Sequence, residues 1–91
     1  MKNSEIARVF QEIADLLELK KDNIFKIRAY QKAAKSIGEL PADVEQLARE
    51  DRLKEIPGVG EAITKKITEL VTTGHLEYYE KLKVEVDERA K

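Results

Sequence analysis

Apolar residues recur along most of this chain at intervals of three and four, the spacing that gathers them on one side of an α-helix. Ile6, Val9, Phe10, Ile13, Leu16 and Leu17 make the first such stripe, while Glu5, Arg8, Glu12, Asp15 and Glu18 cover the remaining faces. The pattern predicts a helix that opens at an Asn3 or Ser4 cap and closes near Leu19. Lys20-Lys21-Asp22-Asn23 then forms a connection, with Asp22 or Asn23 as the next cap. A second helix is expected over about Ile24 to Ile37, with Phe25, Ala29, Ala33 and Ile37 on one buried line and Gly38 as its C-cap ahead of Leu40-Pro41. A third, from Ala42 or Asp43 to about Glu50, turns Val44, Leu47 and Ala48 inward. Asp51 is expected to cap a short helix carrying Leu53 and Ile56.

Proline and glycine interrupt the pattern at Pro57-Gly58-Val59-Gly60. Proline cannot continue the preceding helix, and glycine permits positive φ and close approach of another backbone. Ile63, Ile67, Leu70 and Val71 resume helical spacing at once, so the turn feeds a helix over about Glu61 to Thr72. Thr72-Thr73-Gly74 reads as a turn, and a last helix begins at Leu76 with Tyr79, Leu82 and Val86 as apolar contacts; residues 84–91 are expected to fray. No strand alternation occurs anywhere. The expected fold is all-α, a small bundle of four to six helices forming a single domain over residues 1–91.

Composition narrows the chemistry. Ninety-one residues allow a modest core and little room for a deep active site. There is no cysteine, so no disulfide framework and no thiolate metal site, and an intracellular location is expected, cytoplasmic if the source is prokaryotic. No apolar run approaches the length of a membrane span, and no membrane partner is expected. The single histidine, His75, sits beside Gly74 and reads as a capping or solvated residue. No phosphate-loop motif with its Gly-Lys-Ser ending is present.

Charge changes the picture by its distribution. The net charge is −1, yet residues 24–38 carry Lys26, Arg28, Lys32 and Lys35 with no acid among them. One basic face on an otherwise evenly mixed surface is the expectation, with Lys26 and Tyr30 four residues apart and so on the same side of the helix. The turn at Gly58, Val59 and Gly60 supplies a second anion-seeking feature, because the first amides of a helix lack intrahelical partners and point outward. Among nucleophiles only lysine remains: Lys66 lies between Ile63 and Ile67, whereas Lys65 points about 100° away round the helix. A lysine amine can attack an aldehyde to form a Schiff base.

Leu53-Lys-Glu-Ile-Pro-Gly-Val-Gly60, followed by Ile63-Thr-Lys-Lys-Ile67, resembles the helix-hairpin-helix DNA-binding motif. Such hairpins hold the sugar-phosphate backbone without reading bases. The resemblance implies a monovalent cation, Na⁺ or K⁺, on the carbonyls of Lys54, Ile56 and Val59. Together with Phe25-Lys-Ile-Arg-Ala-Tyr-Gln-Lys-Ala-Ala34, the chain from about residue 4 to 83 resembles the N-terminal domain of the X family of DNA polymerases, the polymerase beta-like enzymes.

That resemblance implies a helical domain that binds gapped, 5′-phosphorylated DNA during base excision repair, without sequence preference and as a monomer. In some members the domain also acts as a 5′-deoxyribose phosphate lyase. It implies Lys66 as the Schiff-base nucleophile and Lys26, Tyr30 and Lys54 as 5′-phosphate ligands; Arg28, Lys32 and Lys65 are expected to add an auxiliary basic face. Three positions depart from the pattern: Ala62 replaces a phosphate-binding lysine, Phe25 a template-stacking histidine, and Tyr78 a helper lysine. Loss of the ammonium at position 62 weakens the case for elimination more than the case for binding. The polymerase domains with their metal-binding aspartates are expected elsewhere in a longer parent chain. Binding module and lyase therefore both stand, beside the plainer alternative of a helical protein-interaction domain.

Overall fold

Each apolar stripe closes against its neighbours in the computed structural model, which describes residues 1–90 and their side chains as far as Arg89. Five α-helices follow one another: α1 (Asn3–Leu19), α2 (Ile24–Glu39), α3 (Val44–Arg49), α4 (Glu61–Thr73) and α5 (Glu77–Ala90), with a single 3₁₀ turn at Leu53–Glu55 between α3 and α4. No strand occurs among the described residues, so the fold is all-α.

Helices α1 and α2 form an antiparallel pair. Ile6, Phe10, Ile13 and Leu17 from α1 meet Ile27, Tyr30, Ala33, Ala34 and Ile37 from α2 in a cluster closed by Val44, Leu53, Ile56, Ile67, Leu70, Leu76 and Leu82. Asn3 ties the start of α1 to the far end of α2: its amide nitrogen donates to the Ala42 carbonyl at 2.7 Å, and its amide oxygen accepts from the Val44 N–H at 3.0 Å. The expected capping role of Asn3 is thus spent on another helix, while Glu5 accepts from the Lys2 N–H at the true start of α1. Helix α5 runs parallel to α1, with Tyr79 donating to Glu12 and Lys20 paired with Glu85.

Two helices end through left-handed residues that are not glycine. At the end of α1, Lys21 has φ 58°, and the Asp22 N–H returns to the Leu17 carbonyl at 3.0 Å. At the end of α3, Asp51 has φ 56°, and the Arg52 N–H returns to the Leu47 carbonyl at 2.9 Å. Both are Schellman closures, so Asp51 terminates α3 and caps nothing after it. Gly38, expected as the cap of α2, lies inside that helix, which ends where Pro41 forces Leu40 into extended backbone.

The expected buried line on α2 needs a larger correction. Ala33 and Ile37 are buried, but Ala29 is exposed and Phe25 is 73% exposed. Residues spaced strictly by four drift around a helix of 3.6 residues per turn, and over twelve residues they diverge by about 120°. The observed set Ile27, Tyr30, Ala34 and Ile37 steps by three and four and stays in phase. The expected fraying after residue 84 is likewise replaced by continuous helix to Ala90, held by the Lys20–Glu85 pair and by Arg89 donating to the Lys20 carbonyl. Lys91 lies outside the described residues.

The hairpin is a type II turn. The Val59 N–H donates to the Ile56 carbonyl at 3.0 Å, Pro57 takes the second position, and Gly58 takes the third with φ 81°. A Cβ on Gly58 would lie 2.8 Å from the aliphatic stem of Lys32, whereas one on Gly60, in extended backbone, would meet nothing within 4 Å. Gly58→Ala is therefore expected to lower unfolding free energy by about 1–2 kcal/mol, the cost of a left-handed alanine, with Gly60→Ala near neutral. Lys21→Gly should instead stabilise the fold. Urea unfolding of the three variants checks the order.

Candidate functional site

One open groove, of about 570 Å³, lies where α2, the hairpin, α4 and α5 meet. Lys26, Ala29 and Tyr30 come from α2, Gly58 and Gly60 from the turn, Glu61, Ala62, Ile63 and Lys66 from α4, and Tyr78 from α5. Lys26 and Tyr30 share the groove because they are one turn apart. Lys66 reaches it because it stands one turn beyond Ala62, its stem running along the edge of the apolar stripe of Ile63 and Ile67.

Aromatic rings build the floor. Tyr30 stacks between Phe10 of α1, with ring centroids 6.0 Å apart and planes at 19°, and Tyr78 of α5, at 5.9 Å and 16°. Tyr30 is only 5% exposed, and burial followed by the neighbouring Tyr78 phenol pushes its hydroxyl pKa well above the ordinary tyrosine value. The Tyr78 ring carries two cations, with Lys66 Nζ 4.8 Å and Lys26 Nζ 5.7 Å from its centroid. Its hydroxyl is sealed from solvent and has no hydrogen-bond partner, although its presence raises the pKa of both Lys26 and Tyr30.

Lys26 is held from the other side as well. Asp22, one helical turn before it, sits 3.7 Å from its ammonium. The Tyr78 hydroxyl raises the Lys26 pKa most, partial burial opposes it, and Asp22 adds a smaller upward push. The Asp22 carboxyl is lowered chiefly by the backbone N–H of Asn23, which donates to it at 2.6 Å, with Lys26 assisting. Asn23, not Asp22, is the cap of α2 and accepts from the Phe25 N–H at 2.8 Å.

The turn contributes backbone donors. The amides of Gly58, Gly60, Glu61, Ala62 and Ile63 donate to no carbonyl, whereas the Val59 N–H is used within the turn. Glu61 stands in the first turn of α4, where its negative charge suits the helix dipole and also competes with any incoming anion. The carbonyls of Lys54 and Val59 accept no backbone N–H, and that of Ile56 accepts one and keeps a second lone pair. Neutral carbonyl oxygens suit a weakly held monovalent cation such as Na⁺ or K⁺ better than a divalent one, which favours carboxylates. Among the described residues no cluster of histidine and carboxylates gathers for a metal.

Of the residues singled out from sequence, the groove unites Lys26, Tyr30, Lys66, Gly58 and Gly60. Lys54 stands apart, exposed on the 3₁₀ turn, and Arg28 is exposed on α2 outside the groove lining. The Lys32 stem roofs Gly58. Lys65 lines a neighbouring groove with Lys66, Glu69, Glu77, Tyr78 and Lys81. Asp22 and Glu61 were not anticipated at the site; the i,i+4 spacing of Asp22 and Lys26 was the available signal for the first.

A 3₁₀ turn joined to helix α4 through a Pro-Gly turn with unpaired backbone amides defines the class, a helical hairpin. Residues 1–76 match the family described as helix-hairpin-helix domain, and the chain belongs to that family. It is 34% identical over 88 residues to the DNA polymerase/3′-5′ exonuclease PolX of Bacillus subtilis (strain 168). That alignment covers 97% of this chain and 15% of that protein, so the chain spans a small part of its relative's length. The X-family relationship read from the two motifs is thereby borne out. No helix among the described residues is long and apolar enough to cross a membrane.

The shielded position of Tyr30 gives a direct test of the floor. In a spectrophotometric titration of the folded protein, Tyr30 should resist ionisation beyond the ordinary range until alkaline unfolding, and Tyr30→Phe should remove that resistant component. Its persistence in Tyr30→Phe would show that another ring is the shielded one.

Proposed function

We propose that this domain binds DNA without sequence preference and anchors on the 5′-phosphate side of a gap, as part of a longer repair polymerase of the X family. The observation that carries the reading is the convergence of Lys26, Tyr30, Lys66 and the free turn amides on one groove. Ammonium groups and amides are the donors a terminal phosphate takes, and none of them can distinguish one base from another. The relationship to PolX supports a polymerase parent. Net charge −1 demands that the contact be local, so affinity should fall with salt along a shallow slope set by a few phosphate contacts. Lys54, Arg28 and Lys32 extend the cationic surface beyond the groove. A monovalent cation on the Lys54, Ile56 and Val59 carbonyls would add positive charge beside the turn.

Half-buried Lys66 beside the phosphate ligand Lys26 favours a second, chemical reading. Attack of its free amine on C1′ of a ring-opened 5′-deoxyribose phosphate expels water and leaves a protonated imine. Loss of the C2′ proton to water then breaks the C3′–O3′ bond, and the strand departs with its 5′-phosphate. Ala62, which places no cation beside Lys66, argues for slow elimination.

Lys26→Ala and Tyr30→Phe should each reduce discrimination between 5′-phosphate and 5′-hydroxyl gaps by about 1 kcal/mol or more. Asp22→Asn, which frees Lys26 from its carboxylate, should increase that discrimination by about twofold. Fluorescence anisotropy on paired gapped duplexes measures all three; unchanged discrimination in both of the first two removes the pocket. For the lyase, borohydride should trap a covalent adduct on a gap bearing 5′-deoxyribose phosphate with wild type and Lys65→Ala but not with Lys66→Ala. Absence of an adduct with wild type, gap binding intact, leaves a purely anchoring domain.

A further inference from the structure

Lysine is a poor ligand when its long side chain must be ordered at the moment of binding, because freezing its rotamers costs up to about 2 kcal/mol. Lys26 and Lys66 belong to different helices, α2 and α4, and neither helix dictates where its ammonium ends. Both ammonium groups nevertheless lie within cation–π distance of a single ring from a third helix, that of Tyr78. The ring is itself fixed, stacked on buried Tyr30 and through it on Phe10. Tyr78 also lines both the main groove and the neighbouring one, so it stands as the wall between them.

We propose that Tyr78 is the positioning residue of the groove: its ring holds the ammonium groups of Lys26 and Lys66 in place before binding, so that both charges converge on one phosphate monoester. Half-buried as it is, Tyr78 acts through the lysines and is not itself a ligand. The ring does the holding. The hydroxyl, sealed from solvent, bears on Lys26, whereas the ring is what both ammonium groups share. Tyr78 thereby makes Lys66 a phosphate ligand as well as the candidate nucleophile. The inference rests on the phosphate-binding reading of the groove.

The test compares wild type, Tyr78→Phe and Tyr78→Leu on gapped duplexes ending in 5′-phosphate or 5′-hydroxyl, each protein checked for helicity by circular dichroism. Tyr78→Phe should keep the discrimination of wild type within about twofold, because it keeps the ring. Tyr78→Leu should lose about tenfold, and adding Lys66→Ala to it should cost less than Lys66→Ala costs wild type, since the lysine is already unheld. Full discrimination in folded Tyr78→Leu, or strict additivity with Lys66→Ala, overturns the inference while leaving the groove as a phosphate site. Wild type with no preference for 5′-phosphate overturns the underlying reading and this one with it. If Tyr78→Leu does not fold, the Hε resonances of Lys26 and Lys66 in wild type decide. Upfield ring-current shifts in both, retained in Tyr78→Phe, support the clamp, and random-coil positions overturn it.

Discussion

The column of Phe10, Tyr30 and Tyr78 fixes where α2 and α5 stand relative to α1, and through them the shape of the groove. Aromatic rings bury large areas and prefer particular offsets, so three of them in series transmit position across three helices better than aliphatic side chains would. The chain contains only two phenylalanines and three tyrosines, and three of those five are in this column. Inside, the column is core; at its outer end it becomes the floor of a cationic site. One set of contacts therefore serves packing and recognition together.

The hairpin is the complementary constraint. Pro57 and Gly58 close a type II turn whose hydrogen bond runs from the Val59 N–H to the Ile56 carbonyl, leaving the flanking amides and the Lys54 and Val59 carbonyls without a backbone partner. Spare amides at a helix start are the kind of donor an anion takes. The stem of Lys32 against Gly58 keeps that turn seated on α2, so the basic helix and the hairpin present their donors as one surface.

Electrostatics here is a matter of arrangement, not of amount. Acids nearly balance bases over the chain, and several exposed acids are engaged in surface ion pairs, such as Glu50 and Glu55 about Arg52 and Glu77 with Lys81. Such pairs contribute little to stability, but they cancel the field of the lysines they touch. The lysines of the groove are met differently: Lys66 by an aromatic ring, Lys26 by a ring and by a single carboxylate. A ring holds a cation without neutralising it, so those charges remain available.

The expected short helix at Leu53 and Ile56 is only a 3₁₀ turn over Leu53–Glu55, but by itself the sequence determined the five α-helices and most of their starts, the Pro-Gly turn and the pairing of Lys26 with Tyr30. Each of these follows from interactions within four residues, where helical period, proline geometry and glycine freedom dominate. It misled where local rules compete. Phe25 was read as buried because a strict four-residue step ignores helical drift, Asp51 as a helix start when it closes the helix before it, and Asn3 as a local cap when its amide serves a backbone 39 residues away. Only the tertiary structure decided that Tyr78 would stack on Tyr30 and gather Lys26 and Lys66, and that Lys54 would stand outside the groove. These depend on how α5 docks across α1, α2 and α4, a matter of long-range packing that no spacing along the chain encodes.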